Sequence, residues 1–196
     1  MDRPPNPVHG GPMSTRTHEH PTLADPHLAD DPRQAERTWR AIDRRHFAVL
    51  STVSSAGHPH AAGVSYCTVG ERLYVNTHRD SRKARNIAAD ERVGVVIPVR
   101  RLPVGPPFNV QFQGTATLLA QDDPEITALL AADELRRIVS HGELDEPDGC
   151  FLRIEPTRRI HTYGIGVPIV AVARDPLHTG PRSIPVPAEA PGRPRP

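Results

Sequence analysis

From Phe108 to Leu118 apolar and polar residues alternate. Phe108, Val110, Phe112, Gly114, Ala116 and Leu118 are interleaved with Asn109, Gln111, Gln113, Thr115 and Thr117. Successive side chains of a strand point to opposite faces, so this period predicts a β-strand with one face in a core and one polar face. Such a strand needs partners, and the surrounding sequence offers them. Residues 47–54 (FAVLSTVS) are β-rich and end in the turn SAGHP at 55–59. Residues 60–68 and 72–77 (RLYVNT) follow, separated by Val69-Gly70-Glu71. Strands joined by such short turns favour an antiparallel meander. Residues 92–99 (RVGVVIPV), 150–155 and 159–163 extend the set, with 167–172 as a further candidate. Helices are predicted over 33–45, 79–89 and 123–140. In the first, Ala35, Trp39 and Ile42 share a face. In the last, Pro124 falls in the first turn and Asp122-Asp123 reads as a cap rather than a carboxylate pair. Six or seven strands without a βα alternation predict a mainly β fold, a closed or nearly closed antiparallel barrel with a few peripheral helices.

Proline sets the domain limits. Of 23 prolines, seven lie in 1–32 and seven in 176–196, leaving nine for 33–175. The expected organisation is one barrel domain over 33–175, flanked by a disordered Pro/His-rich tail at 1–32 and a Pro-rich tail at 176–196. The net charge of +1 gives no single-sign field to recruit nucleic acid or an anionic membrane. Cys67 and Cys150 cannot form a disulfide framework, and no CxxC suggests zinc. Four histidines are dispersed through 1–32, and His58 and His60 sit at a turn, so no metal site is expected. No apolar stretch is long enough for a leader or a membrane span, so a soluble, cytoplasmic protein is expected.

The strongest chemical signal is Asn76-Thr77-His78-Arg79-Asp80-Ser81-Arg82-Lys83, where a strand hands over to a helix. A helix N-terminus presents free N–H groups and the positive end of a dipole, which suit a phosphate. Ser81 adds a hydroxyl, Arg82 a bidentate fork and Lys83 a point charge. A solvated basic helix face would produce the same run. Lys83 is, however, the single lysine among 24 basic residues. Gly164-Ile165-Gly166 lacks the third glycine of a dinucleotide fingerprint. No nucleophile elbow, HExxH or phosphate-binding GxxxxGK[ST] occurs, and no catalytic acid or base can be assigned.

The segments FAVLSTVSSAGHPH, RLYVNTHRDSRKARNIAADERVGVVI, VQFQGTATLL and RRIHTYG together resemble the pyridoxamine 5′-phosphate oxidase-like family of flavin-binding split barrels. The resemblance covers residues 47–164, and SRKARN with DERV is its most specific part. It implies an FMN-binding split barrel of six strands, forming a homodimer with flavin in clefts between subunits, and an oxidoreductase acting on a small organic substrate. By position, Arg82 and Lys83 look like the pair that holds the FMN phosphate, with Ser81 beside them. Asn76 and Thr77 look like strand-end flavin contacts. Val64 and Ser65 fall on the strand that lines the flavin ring, and Asn109 falls where such oxidases carry a flavin-contacting Gln. The vitamin B6 oxidases carry an Arg and a Lys where this chain has Ala61 and Tyr66, and they end in a Trp- and Arg-rich segment. Trp39 is the only Trp here. These departures point away from vitamin B6 oxidation and toward a more open flavin edge. The alternatives are a reductase using the deazaflavin coenzyme F-420, which relatives of this kind also use, and a flavin- or haem-binding protein without turnover.

Overall fold

The computed structural model describes residues 31–100 and 108–186. Of the tail predicted over 1–32, residues 1–30 lie outside the described residues, as do the prolines at 103, 106 and 107, while Asp31 and Pro32 belong to the start of the first helix. Helix α1 (Pro32–Asp43) is capped by Asp31, whose side chain accepts from the Arg33 amide. Strands β1 (Phe47–Val53), β2 (Pro59–Ser65), β3 (Cys67–Val69) and β4 (Arg72–His78) follow by the short turns expected, with β1 pairing β2, β3 pairing β4, and the single strand expected over 60–68 divided at Tyr66. Helix α2 (Arg82–Ala89) leads into β5 (Arg92–Val99) and β6 (Phe108–Ala120). Helix α3 (Pro124–Ala131), two single 3-10 turns (Arg136–Ile138 and Glu143–Asp145), β7 (Gly149–Tyr163), α4 (Ile169–Arg174), α5 (Pro176–Thr179) and β8 (Pro181–Pro185) complete it.

All the strands pair antiparallel in one sheet of order β2-β1-β5-β6-β7-β4-β3, with β8 added against β7. The two ends of that order, β2 and β3, are consecutive in the chain and separated by Tyr66 alone. One residue cannot span an open sheet, so the sheet curls until its ends meet, giving the predicted mainly β split barrel. Ala48, Leu50, Val93, Val95, Ile97, Val110, Phe112, Ala116, Leu152, Ile154 and Ile160 fill the interior. The alternation read from 108–118 is the one observed, since Phe108, Val110, Phe112, Gly114 and Ala116 are buried between outward polar residues. Gly114 marks a bulge where β6 closes on β7. A Cβ there would stand 2.4 Å from the Glu155 carbonyl oxygen, and the register shifts between Phe112 and Gly114. A smaller core of Cys67, Tyr74, Leu119, Ile126, Leu135, Ile138 and Phe151 lies under α3.

Four further expectations change. The two late strands are one 15-residue strand, which Pro156 and the positive φ of Arg158 (63°) bend but do not end. Residues 169–174 are helix, not strand. The helix expected over 123–140 stops at Ala131, because Asp133 turns left-handed (φ 61°). Within the C-terminal piece expected to be an unpacked tail, 181–185 form β8 and bury Ser183 and Ile184 against β7. Proline is tolerated at edge strands, and β8 carries its two at its ends, opposite Tyr163 and Arg159. Its residues from 187 onward lie outside the described residues.

Candidate functional site

Strand β4 runs out at His78, and the chain turns into α2 at Ser81. The Ser81 hydroxyl accepts from the Ala84 amide at 3.3 Å and from the Thr77 hydroxyl at 3.2 Å. That cap fixes the direction of the helix N-terminus relative to β4. Lys83, in the first turn, is half-buried. Burial depresses its ammonium below the ordinary lysine value, opposed by the nearby Cys150. Cys150 stands opposite Thr77 on the neighbouring strand.

Lys83 opens onto a cavity of about 330 Å³ with Gly63, Val64, Ser65, Asn76, Arg137, Ile138, His141 and Glu143. The curl of the sheet explains the meeting. Residues 63–65 end β2, and Asn76 lies on β4 just past its pairing with β3, which begins at Cys67 opposite Tyr74, so both lie where the sheet closes on itself. The Asn76 amide nitrogen is buried and has no hydrogen-bond partner among the described residues. A buried donor left unpaired costs about 1–3 kcal/mol, which a ligand acceptor would recover.

The structure thus places Val64, Ser65, Asn76 and Lys83 around one space, while Thr77 and Ser81, hydrogen-bonded to each other, are not in its lining. It sets two predicted residues apart. Arg82 is exposed and does not line the cavity. Asn109 is half-buried on β6 opposite Pro98 and Tyr163, two strands away from β4 in the sheet order. Arg137, His141 and Glu143 were not foreseen. They reach the cavity from the 3-10 turns after α3, where the sequence suggests only the continuation of a helix. Both cysteines are buried, and burial raises both thiols above their ordinary value. No group of His, Cys, Asp or Glu among the described residues could hold a metal ion.

A larger groove of about 490 Å³ crosses the outer face of β1, β5, β6 and β7, lined by Ser51, Val96, Gln111, Gln113, Arg159 and His161 among others. It contains neither a lysine nor a helix N-terminus. The outer face also leaves Phe47 (53%), Val53 (38%) and Val96 (37%) exposed. Its apolar strip reaches the rim of the smaller cavity, because the Phe47 ring lies against Gly63: a Cβ at Gly63 would stand 2.8 Å from it. No helix among the described residues is long and apolar enough to cross a membrane.

The residues around Lys83 fit a flavin phosphate. The lining offers the Lys83 ammonium, the Ser65 hydroxyl and the unpaired Asn76 amide, and Lys83 belongs to the first turn of α2, whose leading N–H groups have no acceptor within the helix. The position that holds a lysine in the vitamin B6 oxidases is Tyr66. Its side chain is fully buried and donates to the Ile42 carbonyl at 2.6 Å, so it offers nothing to a ligand.

Comparison with known proteins agrees with the fold. A family profile described as pyridoxamine 5′-phosphate oxidase matches residues 35–163. No curated protein sequence matches the chain significantly. Among solved structures the chain is similar to HutZ, the haem storage protein of Vibrio cholerae, at 18% identity and a TM-score of 0.58, over 71% of this chain and 98% of that one. It is similar to a haem-binding protein from Mycobacterium smegmatis at 21% identity and a TM-score of 0.58, over 69% of this chain and 56% of that one. It is also similar to a FAD-binding protein from Mesorhizobium loti at 19% identity and a TM-score of 0.51, over 64% and 89%. At such identities the likeness is one of fold.

Proposed function

Because the chain belongs to the pyridoxamine 5′-phosphate oxidase-like split-barrel family, we propose that it is an FMN-binding oxidoreductase of a small organic substrate, working as a homodimer. The observation that carries the reading is the cavity where the single lysine, from the first turn of α2, meets the unpaired Asn76 amide. FMN supplies hydride and electron transfer through its ring. The chain binds and orients. Lys83, Ser81 and the first amides of α2 hold the phosphate, Asn76 and Ser65 donate to cofactor oxygens, and buried Val64 excludes water from that wall. The deazaflavin coenzyme F-420 is the alternative cofactor of the same reading.

Ligand pockets usually run to roughly 300–1,000 Å³, so about 330 Å³ is at the low end for a tricyclic ring with a phosphate arm. A bound flavin would extend past Gly63 toward the exposed strip of Phe47, Val53 and Val96. A second copy seated on that strip would cover it and wall the cofactor. A shared site of this kind also accounts for Asn109, which no strand brings to the cavity within one copy. Two-fold dimers are the commonest homo-oligomers.

A haem-binding reading is supported by His141 on the cavity wall and by the two haem-associated structures of like fold. An absorption spectrum with mass analysis of the ligand released from purified protein separates these readings. A flavin spectrum and the mass of FMN support the proposal. A Soret band with haem, or the mass of a deazaflavin, overturns the choice of FMN.

A further inference from the structure

The 3-10 turns after α3 bring a second cation to the cavity. Arg137 lines it together with Lys83. The guanidinium is held by a ring nitrogen rather than a carboxylate, its Nη1 standing 2.5 Å from His46 Nδ1. Among the described residues no carboxylate pairs with it, whereas the adjacent Arg136 has Asp133 at 3.8 Å. The cavity's one acid, Glu143, is engaged in its own turn: Oε2 accepts from the His141 amide at 2.7 Å, and Oε1 stands 3.7 Å from His141 Nδ1. An ammonium and a guanidinium therefore face one small space without a carboxylate committed to either. A phosphate monoester carries about two negative charges near neutral pH and three acceptor oxygens, which matches that deficit.

We infer that Arg137 is the second cation of the cofactor phosphate site, closing from the 3-10 turn on a phosphate that Lys83 and α2 hold from the other element. This rests on the reading of the cavity as a flavin phosphate site. It gives Arg137 the role that position in the sequence gave to Arg82; both are exposed, but Arg137 lines the cavity and Arg82 does not. A planar fork takes two phosphate oxygens at once, while a lysine acts as a point charge, so the two are complementary.

The test is equilibrium binding of FMN and of riboflavin, by quenching of flavin fluorescence, to the full chain and to Arg137→Ala, Arg137→Lys, Arg82→Ala and His46→Ala. Arg137→Ala should weaken FMN by roughly 10-fold or more and leave riboflavin unchanged, since only FMN carries the phosphate. Arg137→Lys should lose less and covers the case in which the alanine variant folds poorly. Arg82→Ala should lose less than Arg137→Ala, and His46→Ala, which leaves the guanidinium in place, should lose little. FMN affinity unchanged in Arg137→Ala, or FMN and riboflavin weakened equally, overturns the inference while leaving the phosphate site itself standing. A wild type that binds FMN no better than riboflavin overturns the phosphate reading and this inference with it.

Discussion

Tyr66 is the residue on which the closure of the barrel turns, and its two simplest substitutions should behave differently. It alone joins β2 to β3, its side chain is fully buried, and its hydroxyl donates to the Ile42 carbonyl at 2.6 Å. Burial pushes the phenol well above its ordinary pKa, so it stays protonated. Tyr66→Phe removes the hydrogen bond but does not orphan the acceptor, because the Ile42 carbonyl also takes the Arg45 amide at 3.0 Å. The loss is then that of a net hydrogen bond, about 0.5–1.5 kcal/mol, flat across neutral pH. Tyr66→Ala removes the ring from the meeting point of the sheet's two ends and should cost about 3–5 kcal/mol, as large-to-small changes of buried aromatics do. Against a total of about 5–15 kcal/mol that is a large share. Urea unfolding followed by the fluorescence of Trp39, the single Trp, reads both as shifts of midpoint at constant slope. A Phe variant as damaged as the Ala variant would show that the hydroxyl, not the packing, holds the closure. An Ala variant within 1 kcal/mol (about one net hydrogen bond) of wild type would refute the closure argument.

Other consequences are open to measurement. Ile184→Ala should cost about 2–5 kcal/mol by the same denaturation, and chains ending at Gly180 should be less stable still, because β8 packs on β7; unchanged stability would mean that β8 is dispensable. Glu125 joins α3 to the sheet through Tyr74 (2.5 Å), Arg153 (2.5 Å) and Arg72 (3.5 Å). Burial raises its carboxyl, but the hydrogen bonds from Tyr74 and Arg153 and the arginine charges outweigh it and hold the carboxyl below its ordinary value. The folded state therefore binds fewer protons there than the unfolded chain. That stability is complete above the ordinary carboxylate pKa and lost as pH falls through the lowered one. Glu125→Gln should accordingly show a flatter acid limb in a stability–pH profile, and an unchanged limb would contradict the network's role. Lys83, with its lowered pKa, should react with trinitrobenzenesulfonate faster than a free lysine at mildly alkaline pH, and FMN should protect it; slow labelling, or no protection, would count against its place in the cavity.

The sequence carried the fold further than the site. The alternation over 108–118 and the short turns of the meander are local signals, and local signals survive folding. Ser81 was legible as the cap of α2 for the same reason. What failed was long-range. In α1 Ala35 and Trp39 do pack half-buried against the core beside Ile42, but the most buried positions also include the polar Gln34 and Thr38. The Gln34 amide is buried because it donates to the Ile165 carbonyl at 3.1 Å, a partner more than a hundred residues away. Strand β8 was hidden by its prolines, whose cost disappears at a sheet edge. Arg137 was hidden because a single left-handed residue, Asp133, breaks the helix and redirects the segment across the cavity. Arg82, next to Lys83 in sequence, points elsewhere because adjacent helical residues do not share a face.

The most direct test of the account is the affinity of FMN and riboflavin for wild type and Lys83→Ala. A charge-assisted hydrogen bond to phosphate is worth about 1.5–3 kcal/mol, so Lys83→Ala should weaken FMN by roughly 10- to 150-fold. Riboflavin, lacking the phosphate, should bind wild type weakly and be nearly indifferent to the substitution. Equal losses for the two ligands, or none for FMN, would show that Lys83 does not hold a flavin phosphate and would contradict the central claim.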